Sequence, residues 1–512
     1  MKNNRLLKSS LQLVCVGCTA LGLLGSLSLS ANEMKKKPLH ISQYQLNEMI
    51  DEGGQAQAFE AAFDVGDRLF EHRFSARDGV GANVGNGQRF SLVPRADLDA
   101  DNQWASHIPR RVTGPNAQSC NVCHSTPFGD GAGRAVMNNI RDPKHTGQIS
   151  DFINRQTPHI FGIGALQRLA EEMSAELEDV RVAAIAQAQS SGQTVSLPLV
   201  AKGVDFGLLT AYPDGSLEAS EVTGIDPDLL VKPVEWKGIT TNIRAFVRDA
   251  SHNELGMQPV EITGEGVDGD GDGVVNELSV GDITAMVIYQ AAQPRPTTKE
   301  ELSKLGLIKR LSVREQRRIK RGESVFIDTG CESCHRSQLT LNDPVFSEPS
   351  RHPDYRDKTF PAGQDPLAEG IDPQNSIRFD LTEDLPDNII EHQNGTVTRL
   401  GNFEKTASGG AIVRLFGDLK RHDMGSGLAE SVDEAGTGES TFLTKELWGV
   451  GSTAPYLHDG RATTLAEAID FHGGESAASR EQFNALAEAD KRALIAFLKN
   501  QVLYKTRAVV GR

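Results

Sequence analysis

Past residue 30 the chain has no apolar run of 18 residues, so no further membrane-spanning helix is expected. Positive charge is short: 53 Lys and Arg stand against 69 Asp and Glu, a formal net charge of −16. That balance argues against nucleic acid and anionic lipid as partners. Cysteine is scarcer still, with six in 512 residues. Two of these, Cys15 and Cys18, lie in an N-terminal stretch of distinct character. Lys2, Arg5 and Lys8 precede an apolar Leu11–Leu29 run without an acidic residue, and small residues at Ser28 and Ser30 stand just before Ala31. This pattern reads as a secretory signal over residues 1–30, hence export to the periplasm, with an uncleaved membrane anchor as the rival reading. Without those three basic residues the remainder carries about −19.

Four cysteines remain: Cys120, Cys123, Cys331 and Cys334. An exported chain could use them as disulfides, but one this long has no need of such staples. They form two pairs, each followed by histidine, "CNVCH" and "CESCH". CxxCH is the attachment signature of haem c: two thiols add to the two vinyl groups of one porphyrin, and the next residue offers imidazole to the iron. A zinc site built from two CxxC pairs would leave the histidines unexplained. Two covalent haems are therefore expected, on Cys120 and Cys123 with His124, and on Cys331 and Cys334 with His335.

The sequence ahead of each site repeats. "GDRLF" (66–70) and "GESVF" (322–326) both end amphipathic runs. Cys331 follows Phe326 by five residues and Cys120 follows Phe70 by fifty, which points to two related haem modules, one with a Gly-, Asn- and Asp-rich insertion holding Trp104 and His107. Apolar spacing predicts a long helix over 165–190, a helix in the second half of 235–257, and a closing helix over 481–502 that packs on the opening helix of its module. "VSLPLV" and "GVDFGLLTA" read as short strands or loops. "DGDGDGVVNELS" (268–279) resembles a calcium loop, with Asp268, Asp270, Asp272 and Asn276 as ligands and Ser279 where an acid is expected. Ser279 is equally placed to cap the helix that follows, with Asp282 three residues on. "QPRPTTKEEL" (293–302) reads as a linker, and places a boundary near 295.

The run "STFLTKELWGVGSTAPYLHDGRATTLAEAI" resembles the APY-[LF]-HDG stretch of bacterial di-haem cytochrome c peroxidases and of the di-haem enzyme that matures methylamine dehydrogenase. A closer resemblance is to the di-haem oxidoreductase family, also called thiol oxidoreductases, carried by "RQTPHIFGIGAL" (155–166), "WKG" (236–238), "FVRDASHNELGM" (246–257), "FGDLKRHDMGSGLAE" (416–430) and "HGGES" (472–476). The resemblance implies a mainly α protein: two cytochrome c-like haem domains, 31–295 and 296–512, with long loop insertions and few short strands. It also implies a redox enzyme, peroxidase-like, that receives electrons at one haem and reduces peroxide or a small substrate at the other. A redox protein or small molecule would supply the electrons, with no nucleic acid and no membrane beyond the signal. A plain electron-transfer cytochrome and a haem-dependent oxygenase remain open as alternatives.

A closed haem needs a second axial ligand, normally Met or His. In the resembling peroxidases a distal Met follows the HDG histidine at about the distance from His458 to His472. His472 therefore reads as the distal ligand of the second haem, at the end of a helix opened by a Thr464/Glu467 capping box and closed by Gly473. His458 reads as a residue that orients a ligand or propionate, with His422 as an alternative beside this haem, and Arg461 as a propionate partner. For the first haem His107, His159, His252 and Met257 all stand as candidates, as does an open face. In that case Glu254 and His252 are the candidate proton-transfer groups. Trp104 or Trp236 are candidates to lie between the haems.

Overall fold

A glycine sets the packing of each repeated helix. In the computed structural model, which describes residues 39–80, 117–134, 139–141, 153–392 and 394–505, the two "GxxxF" runs end helices that cross a later helix at close range. Gly66 lies against Ala285, and a Cβ there would run into the Ala285 carbonyl; Gly322 lies in the same way against the Ala493 carbonyl. Only a residue without a side chain lets two backbones approach so closely. The signal-like segment, Trp104 and His107 lie outside the described residues.

Twelve helices occur among the described residues. They are α1 (Gln43–Asp51), α2 (Gln55–Glu71), α3 (Cys120–Cys123), α4 (Ile163–Ser191), α5 (Ile243–Asn253), α6 (Val260–Thr263), α7 (Val280–Ala291), α8 (Lys299–Lys304), α9 (Val313–Asp328), α10 (Leu465–Asp470), α11 (Ala477–Ala485) and α12 (Glu488–Leu498). α2 packs on α7, and α9 on α12. The first pair sits in the larger core, with Leu69, Phe70, Ile283, Met286 and Tyr289 buried. The second has its own core of Ile319, Val325, Phe326, Leu494 and Phe497. The expected helix over 165–190 is α4, and that in 235–257 is α5. The closing run is two helices, broken at Leu486 and Ala487, with Gln501–Val502 beyond it paired to Thr297–Thr298 as strand. None of the helices is long and apolar enough to cross a membrane.

The expectation of a mainly α, cytochrome c-like protein is overturned. The described residues are 36% helical and 15% strand, with several small antiparallel sheets. The largest hairpin joins Val195–Ala201 to Val204–Ala211, and Leu217–Glu218 adds a third strand. Its two-residue turn is Lys202 and Gly203, both at positive φ, the type that matches strand twist. Between α9 and α10 the chain forms short pairs: Leu339–Leu341 with Ala411–Val413, Val345–Glu348 with Ile377–Asp380, and Arg421–Asp423 with Thr441–Leu443. Strands of three or four residues are too short to show a period of two. Helical periodicity was the stronger signal, and the rest passed for loop insertion.

Gly66→Ala and Gly322→Ala should each destabilise the protein by about 1–3 kcal/mol, since the added methyl forces helix axes apart. Urea unfolding of each variant measures this, and an unchanged midpoint would show that the helices are not in contact at these glycines.

Candidate functional site

Both CxxCH segments close a turn with the same hydrogen bond. His124 N–H donates to the Cys120 carbonyl at 2.9 Å, and His335 N–H to the Cys331 carbonyl at 3.0 Å. The first turn is α3, capped by Ser119. The second is a 3-10 turn that starts at Gly330, φ +76°. None of the four cysteines is in a disulfide. The two histidines are held alike: Nδ1 faces the Gly131 carbonyl at 3.1 Å in one and the Phe416 carbonyl at 3.1 Å in the other. An Nδ1–H donated to a carbonyl leaves the lone pair on Nε2, the tautomer a metal needs. Burial pushes both imidazoles down to about 4, so both are neutral at ordinary pH. The phenylalanine of each repeat backs its histidine, with Phe70 5.5 Å from His124 and Phe326 6.5 Å from His335 between ring centroids.

Around His335 opens a cavity of about 250 Å³, lined by Cys331, Cys334, Met424, Tyr456, His458 and His472 among others. His472 faces His335 with ring centroids 6.3 Å apart. Its Nδ1 is tied to the Ala468 carbonyl at 2.8 Å, and burial lowers its pKa. The Thr464/Glu467 capping box is present, but α10 ends at Asp470, so His472 lies past the helix rather than on its last turn. Gly473 does not close the helix either. It and Gly474 let the chain lie against the backbone of Asp423 and Met424, where a Cβ would collide.

His458 sits at φ +72° Leu457, in a turn, and its ring stacks on Phe442 at 4.3 Å. Its Nε2 is 3.6 Å from Glu430, and burial pushes the imidazole down to about 3. His422 has both ring nitrogens on carboxylates, Nδ1 to Glu475 at 2.7 Å and Nε2 to Asp418 at 2.9 Å. Burial opposes protonation, but Asp418 and the Cys334 sulfur raise the pKa to about 11. Arg461 is taken up by Asp459.

A second cavity, of about 120 Å³, is built on Cys120, Cys123 and His124. Phe161, Leu166, Phe246, Val247 and Met286 give it apolar walls, and Glu254 reaches it from the end of α5. His252 does not line it; its Nδ1 faces the Met257 carbonyl at 3.0 Å, away from the cavity. Met257 is fully buried elsewhere in the core. Of the pair chosen as proton-transfer candidates, the structure brings only Glu254 to the site, because α5 turns the two residues to different sides.

The two cavities share one wall. Gln156, Thr157, Pro158, His159, Trp236, Lys445 and Glu446 line both. Trp236 Nε1 donates to the Gln156 carbonyl at 2.6 Å, and Lys445 Nζ lies 5.9 Å from the Trp236 ring centre. His159 Nε2 faces the Trp448 carbonyl at 3.0 Å, while its Nδ1 is buried without a hydrogen-bond partner. Next to the wall lies a buried charge network. Arg155 binds Glu430 and Glu434, and Lys237, fully buried, donates to the carbonyls of Gly438, Glu439 and Thr441. Sequence reading did not find Arg155, Gln156, Lys445 or Glu446. They come together from distant segments, and "WKG" alone carried too little to mark Lys237.

The 268–279 loop brings Asp268, Asp270 and Asp272 together, with ligand atoms within 4.8 Å of one another. Asp270 is buried, and one oxygen of Asp272 and one of Glu277 are buried without hydrogen-bond partners. Burial, with these three aspartates, pushes Glu277 up to about 9. Asn276 takes a hydrogen bond from Gly266 N–H, and Ser279 caps α7 in a box with Asp282.

Residues 392–501 match the family model described as "Di-haem oxidoreductase, putative peroxidase". The match bears out the resemblance to the di-haem oxidoreductases, a family whose description carries haem and an oxidoreductase activity. It covers His422, His458 and His472, and neither CxxCH. The comparison with curated proteins finds no match.

Arg155→Leu should cost about 3–5 kcal/mol, because it removes the guanidinium that two buried carboxylates share. Chemical denaturation tests this; a loss under 1 kcal/mol, the range of exposed pairs, would show that the network is hydrated.

Proposed function

We propose that this relative of the di-haem oxidoreductases is a periplasmic enzyme carrying two covalent haems c, with electrons entering at the second and peroxide or a small oxidant reduced at the first. The observation that carries this reading is the pair of cavities, each built on one CxxCH, that share a single wall. Bound haem supplies one-electron redox chemistry and, where an iron face is open, a place for an oxygen-containing substrate.

The residues fit that group. Imidazole nitrogen sits about 2 Å from a first-row metal, so two rings on opposite sides of one ion have centroids about 6 Å apart. His335 and His472 are 6.3 Å apart, each neutral and each with Nδ1 held by a carbonyl. This supports a closed, bis-His second site suited to electron transfer. The first cavity has Glu254 at its edge, a carboxyl placed to hand a proton to a reacting oxygen. The apolar side chains of that cavity exclude water, and Trp236 in the shared wall offers an aromatic step between the two sites. His458 lines the cavity around His335, with Glu430 3.6 Å from its Nε2, so the pair would orient the group held there.

The carboxylates at 268–277 support a bound calcium ion as a further part of this reading. Three aspartates converge, and the buried unpaired oxygens of Asp272 and Glu277 call for a cation.

Purified protein should carry two haems per chain by pyridine haemochrome assay, and one after either Cys120→Ser with Cys123→Ser or Cys331→Ser with Cys334→Ser. His472→Ala should convert one haem from low to high spin in the EPR spectrum and leave the other alone. Two low-spin haems in that variant would sink the assignment of His472, and two haems that never react with peroxide or cyanide in the unmodified protein would sink the enzyme reading. Calcium should raise the melting temperature of the chelator-treated protein by several degrees, as a ligand in excess of its Kd stabilises the folded state by about 2–3 kcal/mol. Asp270→Asn should abolish that rise; a rise that persists places the ion elsewhere.

A further inference from the structure

In a chain of net charge −16, residues 309–321 carry seven basic residues and one acid. Lys309 and Arg310 precede α9; Arg314, Arg317, Arg318, Lys320 and Arg321 ride on it, and all seven are exposed. Arg321 pairs with Asp490 at 2.9 Å, while none of the other six makes an ion pair among the described residues. Local stability does not account for them. Arg314, Arg317 and Arg318 occupy the first turns of α9, where the helix dipole favours acids. Arg314, Arg317, Arg318 and Arg321 follow i, i+3, i+4, i+7 spacing, so like charges stack along one stripe and repel. The one acid, Glu315, is spent on the capping box with Ser312.

The stripe is carried by the helix that leads into the second CxxCH. The opposite side of α9, through Ile319, Gly322, Val325 and Phe326, packs toward α12 and His335. Past Asp328 the chain turns at Gly330 into Cys331. α9 is 16 residues long, about 24 Å. A standard protein interface covers about 800 Å² per partner, a patch about 30 Å across, so one docked protein reaches from the stripe to the attachment turn.

We propose that this face docks an acidic electron-transfer protein, which delivers one electron at a time to the haem held by Cys331, Cys334 and His335; this rests on the reading of that haem as the entry site. The step is balanced by charge alone: the donor's redox centre loses one electron, the haem iron gains it, and no proton or bond changes place. Charge complementarity selects the partner. The chain outside 309–321 carries about −22, so a planar anionic bilayer, which faces much of the molecule, is repelled where a small acidic protein on the stripe is not. The stripe also lacks an apolar flank to bury in lipid, since Val313 and Ile327, 61% and 49% exposed, stand alone at the two ends of α9.

The test is stopped-flow reduction of the di-haem protein by two low-potential probes, a reduced acidic plant-type ferredoxin and a reduced basic tetrahaem cytochrome. The acidic probe should react faster at low ionic strength, and its rate should fall about tenfold or more between 10 and 200 mM salt. Arg314→Glu with Arg317→Glu and Arg318→Glu should lose that advantage by a similar factor, and the matching Gln variant by less. Reduction by dithionite should be the same in all three proteins. A variant as fast as the unmodified protein with the acidic probe, or an unmodified protein that prefers the basic probe, overturns the proposal. So does binding to phosphatidylglycerol vesicles that the substitutions abolish while the probe rate stands. A failure of the entry-haem reading shows separately, as an acidic-probe electron that arrives first at the other haem in rapid-freeze EPR.

Discussion

A hydrogen bond from Nδ1 of each CxxCH histidine to a backbone carbonyl orders the rest of this molecule. It decides which nitrogen keeps its lone pair, and burial then keeps that pair unprotonated. Neither effect is local to the motif. The Gly131 carbonyl belongs to a turn just past α3, whereas the Phe416 carbonyl comes from 81 residues beyond His335. The small sheets between α9 and α10 carry the chain back so that this carbonyl arrives. The glycine of each repeat brings two helices close, and the phenylalanine one turn on then rests near the histidine.

What could be read in the sequence was what neighbours in sequence settle. CxxCH spacing, the capping boxes at Ser279 and Thr464, the extent of α4 and the GxxxF repeat are all written within a turn or two of chain. The failures share a cause. Gly473 reads as the terminator of a helix that carries His472, yet that glycine serves a close approach to Met424, from a distant strand end. The stretch "SHNELGM" offers both His252 and Glu254 as proton-transfer groups, two residues apart. That separation turns side chains through about 200°, so one faces the cavity and the other the core. The strands of three and four residues escaped because their pairing partners, not their own composition, make them strands.

The two CxxCH modules are alike in motif and unlike in completion. The second gains a histidine across from its own, at a distance that suits one ion between two imidazoles. The first cavity is finished by apolar side chains and a carboxyl instead. A site closed on both faces suits a group that only passes electrons; a face lined by apolar groups and a proton carrier suits one where a bond is broken. The same pair of repeated elements is therefore completed in two different ways, and the segments between them make the difference.

The shared wall ties the two cavities to each other. Gln156–His159 and Trp236 come from the N-terminal side of the linker at 293–302, and Lys445 and Glu446 from the far side. Arg155 binds Glu430 and Glu434 across the same divide, and the Gln156 amide donates to the His458 carbonyl at 2.6 Å. A cut near residue 295 would leave each cavity without part of its wall and would strand buried charges on both pieces. Separate folding of the two modules is thus opposed by the same contacts that put their cavities side by side. The distance between the two cavities is fixed by packed backbone and a buried ion network.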